Sequence, residues 1–171
     1  ALPAQASNLT VSAAASLTDA FNAIKAEFAK AHPSINLTMN YGASGALFSQ
    51  MKQGAPVDVF ASADQKTMDM ATDKKLIDTA TRVNFAQNSL VLAVPTGNPA
   101  NVKDVSSLKK DTVKRIAIGN PDTVPVGRYT KDALTKSGDW DTLSSKFSLS
   151  ESVRQALDYL TRGEVDAGFV Y

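Results

Sequence analysis

Short junctions along the chain set small or hydroxyl-bearing residues between a strand-like run and a helix-like run: "AAASLTD", "NYGASGAL", "NPDTVPVGRYTKDAL" and "SLSESVRQAL". In the first, Ser16 stands as a helix N-cap with Asp19 three residues on, the spacing of a capping box. The second offers Gly42, Ser44 and Gly45, and the third places Pro125 to open a helix near Val126. The fourth repeats the capping-box spacing with Ser152 and Gln155 and puts Val153 in the first turn. Helix N-termini expose N–H groups and the positive end of the helix dipole, and small side chains let an anion approach the backbone. A serine hydroxyl can accept from a helix N–H and still donate its own hydrogen to a ligand. The chemistry these residues suit is the holding of an anion by neutral donors, although each junction alone reads equally well as an ordinary helix start.

Catalytic readings fit less well. "GASGA" misses the G-x-S-x-G nucleophile elbow because Ala46 stands where the second glycine belongs. A serine hydrolase centred on Ser44 would also need a base, and the one histidine, His32, lies just before Pro33 at an expected helix end. "SQMK" and "SLKK" both fit S-x-x-K without the partner motifs of a β-lactamase. Asp58, Asp64 and Asp69 could serve acid–base or metal chemistry, but turns and helix starts explain their spacing as well.

The elements that must position these groups alternate. Residues 9–13, 35–41, 57–61, 89–94, 115–118 and 167–170 read as strands. Leu17, Ala20, Phe21, Ile24 and Phe28 share one helical face, as do Leu47, Phe48 and Met51, and Val153, Ala156, Leu157 and Leu160. This is an α/β pattern, in which ligands gather at the carboxyl ends of parallel strands. The polar stretch 79–89 is the expected crossover, giving a first lobe at 1–85 and a second at 86–171, with 96–105 a loop.

Composition narrows the function further. Lys and Arg number 18 against 17 Asp and Glu, so no net field recruits nucleic acid or an anionic membrane. No apolar run approaches the ~20 residues of a spanning helix. There is no cysteine, which removes thiolate chemistry, disulfides and a lipidated N-terminal cysteine. Ala4, Gln5 and Ala6 fit the A-x-A pattern at which a secretory signal is cut.

Beyond these readings, "AAASLTDAF", "GAPVDVFASADQKTMD", "KKLIDTATR", "NSLVLAVP", "GNPDTVPVGRYTKDAL", "GDWDTLSSK", "VRQAL" and "GFVY" resemble the periplasmic molybdate-binding proteins of ABC transporters. The resemblance covers nearly the whole chain after residue 8. It implies the type II periplasmic-binding-protein fold, two α/β lobes with the ligand in the cleft between them. It further implies a periplasmic receptor for molybdate and tungstate that delivers its oxyanion to an ABC permease, needs no cofactor, catalyses nothing and is monomeric when complete. Ser16 and Ser44 match the family's hydroxyl donors, Val126 and Val153 its backbone N–H donors, and Tyr171 its phenolic donor. Molybdenum would enter only as the oxyanion. The alternative is another tetrahedral oxyanion such as sulfate; phosphate keeps a proton at neutral pH and calls for an acceptor that this set lacks. Two positions depart from the family pattern, Val126 where alanine is usual and Gly45 where a second serine is usual, and the bulk of Val126 is expected to narrow the cleft. Family members also continue beyond the residue matching Tyr171 and return to the first lobe, so the resemblance implies a first lobe incomplete in this chain and weak unaided binding.

Overall fold

The computed structural model describes residues 7–171; Ala4, Gln5 and Ala6 lie outside the described residues. The chain divides into two compact units between Val83 and Asn84, inside the polar stretch 79–89. Each unit is an α/β layer built on its own sheet.

In the first unit, β1 (Ser7–Ala14), α1 (Thr18–Ala31), β2 (Ile35–Gly42), α2 (Ser44–Lys52), β3 (Val59–Ala61) and α3 (Gln65–Asp73) follow in order. The strands run parallel in the order β2-β1-β3. Val11, Ala13 and Ala61 form the buried centre, with Leu9, Leu17, Phe21, Leu37, Met39 and Tyr41 packed on it. Only the first turns of the α1 face join that cluster. Ile24 is 57% exposed and no residue of α1 is buried, so the apolar stripe read from the sequence is half used. Asp58 shortens β3 from the expected 57–61, because its Oδ2 accepts from the Thr10 N–H at 2.8 Å where a strand carbonyl would otherwise sit.

The second unit contains β4 (Val91–Ala93), β5 (Ile116–Gly119), α4 (Pro125–Lys136), α5 (Trp140–Leu143), β6 (Phe147–Ser150), α6 (Val153–Thr161) and β7 (Ala167–Val170). The sheet order is β4-β7-β5-β6, with β4 antiparallel to β7 and the other pairs parallel. Leu108, Val113, Ile116, Ile118, Leu134 and Leu143 are fully enclosed here. Burying such a side chain contributes about 1.5–3 kcal/mol, so this unit has the stronger apolar core. Strand β6 was not among the expected elements. It is four residues long with an exposed Leu149, too short and too half-wet to stand out as an alternating run. Among the described residues no helix is long and apolar enough to cross a membrane.

One contact sets how closely α4 approaches β5. A Cβ on Gly127 would lie 2.0 Å from the carbonyl oxygen of Gly119, and one on Gly119 would lie 2.7 Å from Val124 Cγ1 and 2.9 Å from Val126 Cγ1. Both positions therefore need glycine for space, not for backbone torsion. In an ordinary helix Gly→Ala gains up to about 1 kcal/mol. Here the obstacle is backbone and cannot rotate away, so overpacking wins. Gly127→Ala is expected to lower unfolding stability by about 1–3 kcal/mol in urea titration.

Candidate functional site

The register of each sheet decides which loops meet. In the first unit Ala14 pairs with Gly42 and Ala13 with Ala61, so the carboxyl ends of β1, β2 and β3 are level. Adjacent strands lie about 4.8 Å apart, and the turns that leave those ends are neighbours. Ser16 leaves β1 and Ser44 leaves β2, and the fold brings both to this edge.

Their local settings differ. Ala14, in extended conformation, precedes a 3-10 turn over Ala15–Leu17, and α1 begins only at Thr18. Ser16 is exposed in the middle of that turn, and no side-chain cap bond forms at either start. The expected capping box of Ser16 and Asp19 is thus corrected: a 3-10 turn precedes the helix, and Ser16 lies inside that turn, one residue before the α1 cap position at Leu17. Ser44 is the first residue of α2 and is fully buried. Its Oγ accepts a hydrogen bond from the Ala63 N–H at 2.9 Å, which ties the β3–α3 loop to the start of α2. In that loop Asp64 caps α3 by accepting from the Thr67 N–H at 3.2 Å, and Ser62 Oγ donates to the Asp64 carbonyl at 2.9 Å.

The second unit repeats the arrangement. Gly119 pairs with Ser150, and Ala117 with Gly168, so β5, β6 and β7 also end level. The loop after β5 folds back through the Val124 N–H to the Asn120 carbonyl at 2.8 Å, and Pro125 opens α4 as expected. Val126 is the second helical residue, where the N–H has no carbonyl partner within the helix. Its side chain is fully buried and packs toward Gly119. The volume of this side chain is taken up inside the unit, and the backbone amide stands at the helix start. After β6, Ser152 Oγ accepts from the Gln155 N–H at 3.1 Å, while Gln155 Oε1 accepts from the Glu151 N–H at 2.7 Å, one residue earlier than a standard capping box. Val153 follows as the first residue of α6. Tyr171 leaves β7 with its phenolic oxygen buried and its ring edge-on to Tyr129 of α4, centroids 6.5 Å apart.

Ser16 and Ser44 thus share one edge in the first unit, and Val126, Val153 and Tyr171 share one edge in the second. None carries a formal charge. The groups with displaced pKa lie elsewhere: hydrogen bonds from Ser106 and Ser107 hold Asp104 down at about 2, Lys109 and Ser137 lower Asp139, and burial raises Tyr41. Asp58, Asp64 and Asp69 are all in structural use, Asp69 as the partner of Arg82 at 2.7 Å. His32 closes α1, its ring 4.6 Å from that of Phe28. Its carbonyl accepts from the Ile35 N–H, which places it at the start of β2, about 20 Å of strand away from Ser44. Missed in the sequence were the Ala63 N–H and the Gly119–Gly127 contact. "ASAD" after the third strand was the available signal for Ala63, since every parallel strand end contributes to the same edge.

Two α/β units with hydroxyl and helix-start groups at the level ends of their parallel strands have the architecture of a solute-binding protein. Residues 9–171 match the family described as bacterial extracellular solute-binding protein, and the chain belongs to it. Among its relatives is the molybdate-binding protein ModA of Escherichia coli K12, 44% identical over 167 residues that cover 95% of this chain and 65% of that protein. The ModA of Haemophilus influenzae is 34% identical, with 98% and 67% covered. The periplasmic molybdate-binding protein of Azotobacter vinelandii superposes with a TM-score of 0.83 at 28% identity, covering 95% of this chain and 70% of that one. The chain spans about two thirds of the length of the curated relatives it matches.

The α6 start offers a direct check on this geometry. Removing the cap in Ser152→Ala is expected to cost about 1 kcal/mol. Hydrogen exchange should quicken at the first-turn amides of α6 and stay unchanged at α2.

Proposed function

We propose that this chain is the receptor part of a molybdate and tungstate uptake system, acting outside the cytoplasm and delivering its oxyanion to an ABC permease. The observation that carries the reading is the donor set. Ser16, Ser44, Val126, Val153 and Tyr171 are five neutral donors at the strand ends of the two units, with no charged side chain among them. A tetrahedral dianion asks for donors on all sides, and hydrogen bonds to a charged group contribute roughly 1.5–3 kcal/mol each. The names of the relatives at 44% and 34% identity support molybdate over sulfate. The reading implies selection by size: donors spaced for the larger tetrahedron would make stretched bonds to sulfate.

Catalysis has no support in the surroundings of Ser44. A nucleophilic serine hands its proton to a base. The Ser44 Oγ instead receives a hydrogen from Ala63, and the one histidine lies at the other end of the sheet. The reading is therefore of a binding protein and not an enzyme. A signal segment ending near Ala6 is part of the same proposal.

The test is calorimetry and thermal shift with molybdate, tungstate, sulfate and phosphate. Two weakened bonds to sulfate give on the order of a hundredfold preference for molybdate. Sulfate binding within tenfold of molybdate would remove the size argument. Ser16→Ala and Ser44→Ala should each weaken molybdate binding by roughly 1–3 kcal/mol, while His32→Ala leaves it unchanged. The two serine variants should differ in the unliganded melt. Ser44→Ala removes the acceptor of the half-buried Ala63 N–H and lowers Tm, whereas exposed Ser16→Ala does not.

A further inference from the structure

We infer that Tyr41, through its hydrogen bond to Asn22, is a positioning residue that fixes the Ser16 turn against the strand leading to Ser44 and so sharpens the choice among tetrahedral anions by size. The inference rests on the proposed oxyanion-binding function. The Tyr41 hydroxyl donates to Asn22 Oδ1 at 2.9 Å, which joins the end of β2 to the second turn of α1. Tyr41 pairs with Ala13 and stands three residues before Ser44, and Asn22 stands six residues after Ser16. One bond thus ties together the two junctions that carry the serines.

Pinning Asn22 pins Ser16, because the chain between them is one helical rod. Leu17 ends the 3-10 turn with φ −91° and ψ −2°, and Thr18 continues at −51° and −54°. The Thr18 N–H and Oγ1 both donate to the Ala15 carbonyl, the hydroxyl at 2.7 Å, so the turn moves with α1. Apolar packing seats that helix only lightly. None of its residues is buried, and Phe21, with Leu17 just ahead of it, packs on the Val11, Ala13 and Ala61 cluster that Tyr41 also covers. The place of a buried helix is over-determined by close packing, whereas a hydrogen bond to a lightly packed one decides much of its seat. Burial raises the Tyr41 phenol, which therefore keeps the hydrogen that it donates. The aim of the Ser16 hydroxyl follows the seat of the turn. Where that seat is firm, an oxygen at the radius of molybdate is met and a smaller tetrahedron is not; where it is loose, the turn can follow the smaller anion as well.

Tyr41→Phe keeps the ring in the apolar cluster and removes the hydroxyl. In calorimetry it should weaken molybdate binding about twofold to tenfold, the reach of one hydrogen bond, and narrow the molybdate-to-sulfate preference by a similar factor. Asn22→Ala should reproduce both changes, with its lost bond offset in the melt by better helix propensity. The double variant should add nothing to either single one, since both remove the same contact. Asn36→Ala, which removes an exposed bond to Asn8 at the opposite end of β2, should leave affinity and preference unchanged. In a Ser16→Ala background Tyr41→Phe should lose most of its effect, because the hydroxyl it positions is gone. A Tyr41→Phe protein with the parent's affinity and preference overturns the inference. So does an effect of full size in the Ser16→Ala background, which a general loosening of the fold would give. A parent protein that binds no oxyanion would remove the proposed function and this inference with it, an outcome distinct from unaltered binding in the variant.

Discussion

Everything at the candidate site depends on one unsatisfied requirement of helices. The first turn of a helix has N–H groups with no carbonyl to bond, and a parallel strand followed at once by a helix delivers those groups to the end of the sheet. Because β1, β2 and β3 end level, and β5, β6 and β7 do so in the other unit, several such starts gather at one edge of each sheet. Some of the donors are met internally, as where Asp64 and Ser152 cap their helices. The starts of α2 and α4 have no side-chain cap at all. Small residues there keep the backbone approachable, which is why the junctions are neutral and nearly featureless in sequence.

The absence of charge has its own physical logic. In a receptor of the proposed kind, a lysine or arginine at such an edge would attract any anion with little regard to size. Fixed dipoles act over a short range and reward only oxygens that lie where the dipoles point. The closeness of α4 to β5, which Gly119 and Gly127 permit, is part of the same fixing. A helix start that could slide would hold anions of several sizes equally well.

The alternation of strands and helices, the Pro125 helix start and the Ser152 cap were legible because each has a local cause: periodicity, a fixed proline torsion, a hydroxyl three residues before an amide. The capping box at Ser16 was a misreading, since sequence spacing does not reveal that a 3-10 turn precedes the helix. Strand β6 escaped notice because its pairing with β5 stabilises it more than its own four residues do. The Ser44–Ala63 bond joins residues 19 apart through a donor every residue but proline carries, so no residue type could announce it.

That last point bears on how such a site tolerates change. Where a donor is a backbone N–H, the side chain above it is free to vary as long as its volume has somewhere to go. Val126 illustrates this, its isopropyl group lodged against Gly119 inside the fold while the amide stays at the helix start. The constraint has not vanished; it has moved to the glycine, which must remain bare for the valine to fit. Gly45 is buried in the first turn of α2 and, like Val126, still provides a backbone amide whatever its side chain. In the proposed site Ser16, Ser44 and Tyr171 would have no such latitude, because their hydroxyls would be the donors. Variation among relatives should therefore track donor chemistry: loose over amides, coupled at the glycines that make room for them, and strict at the hydroxyls.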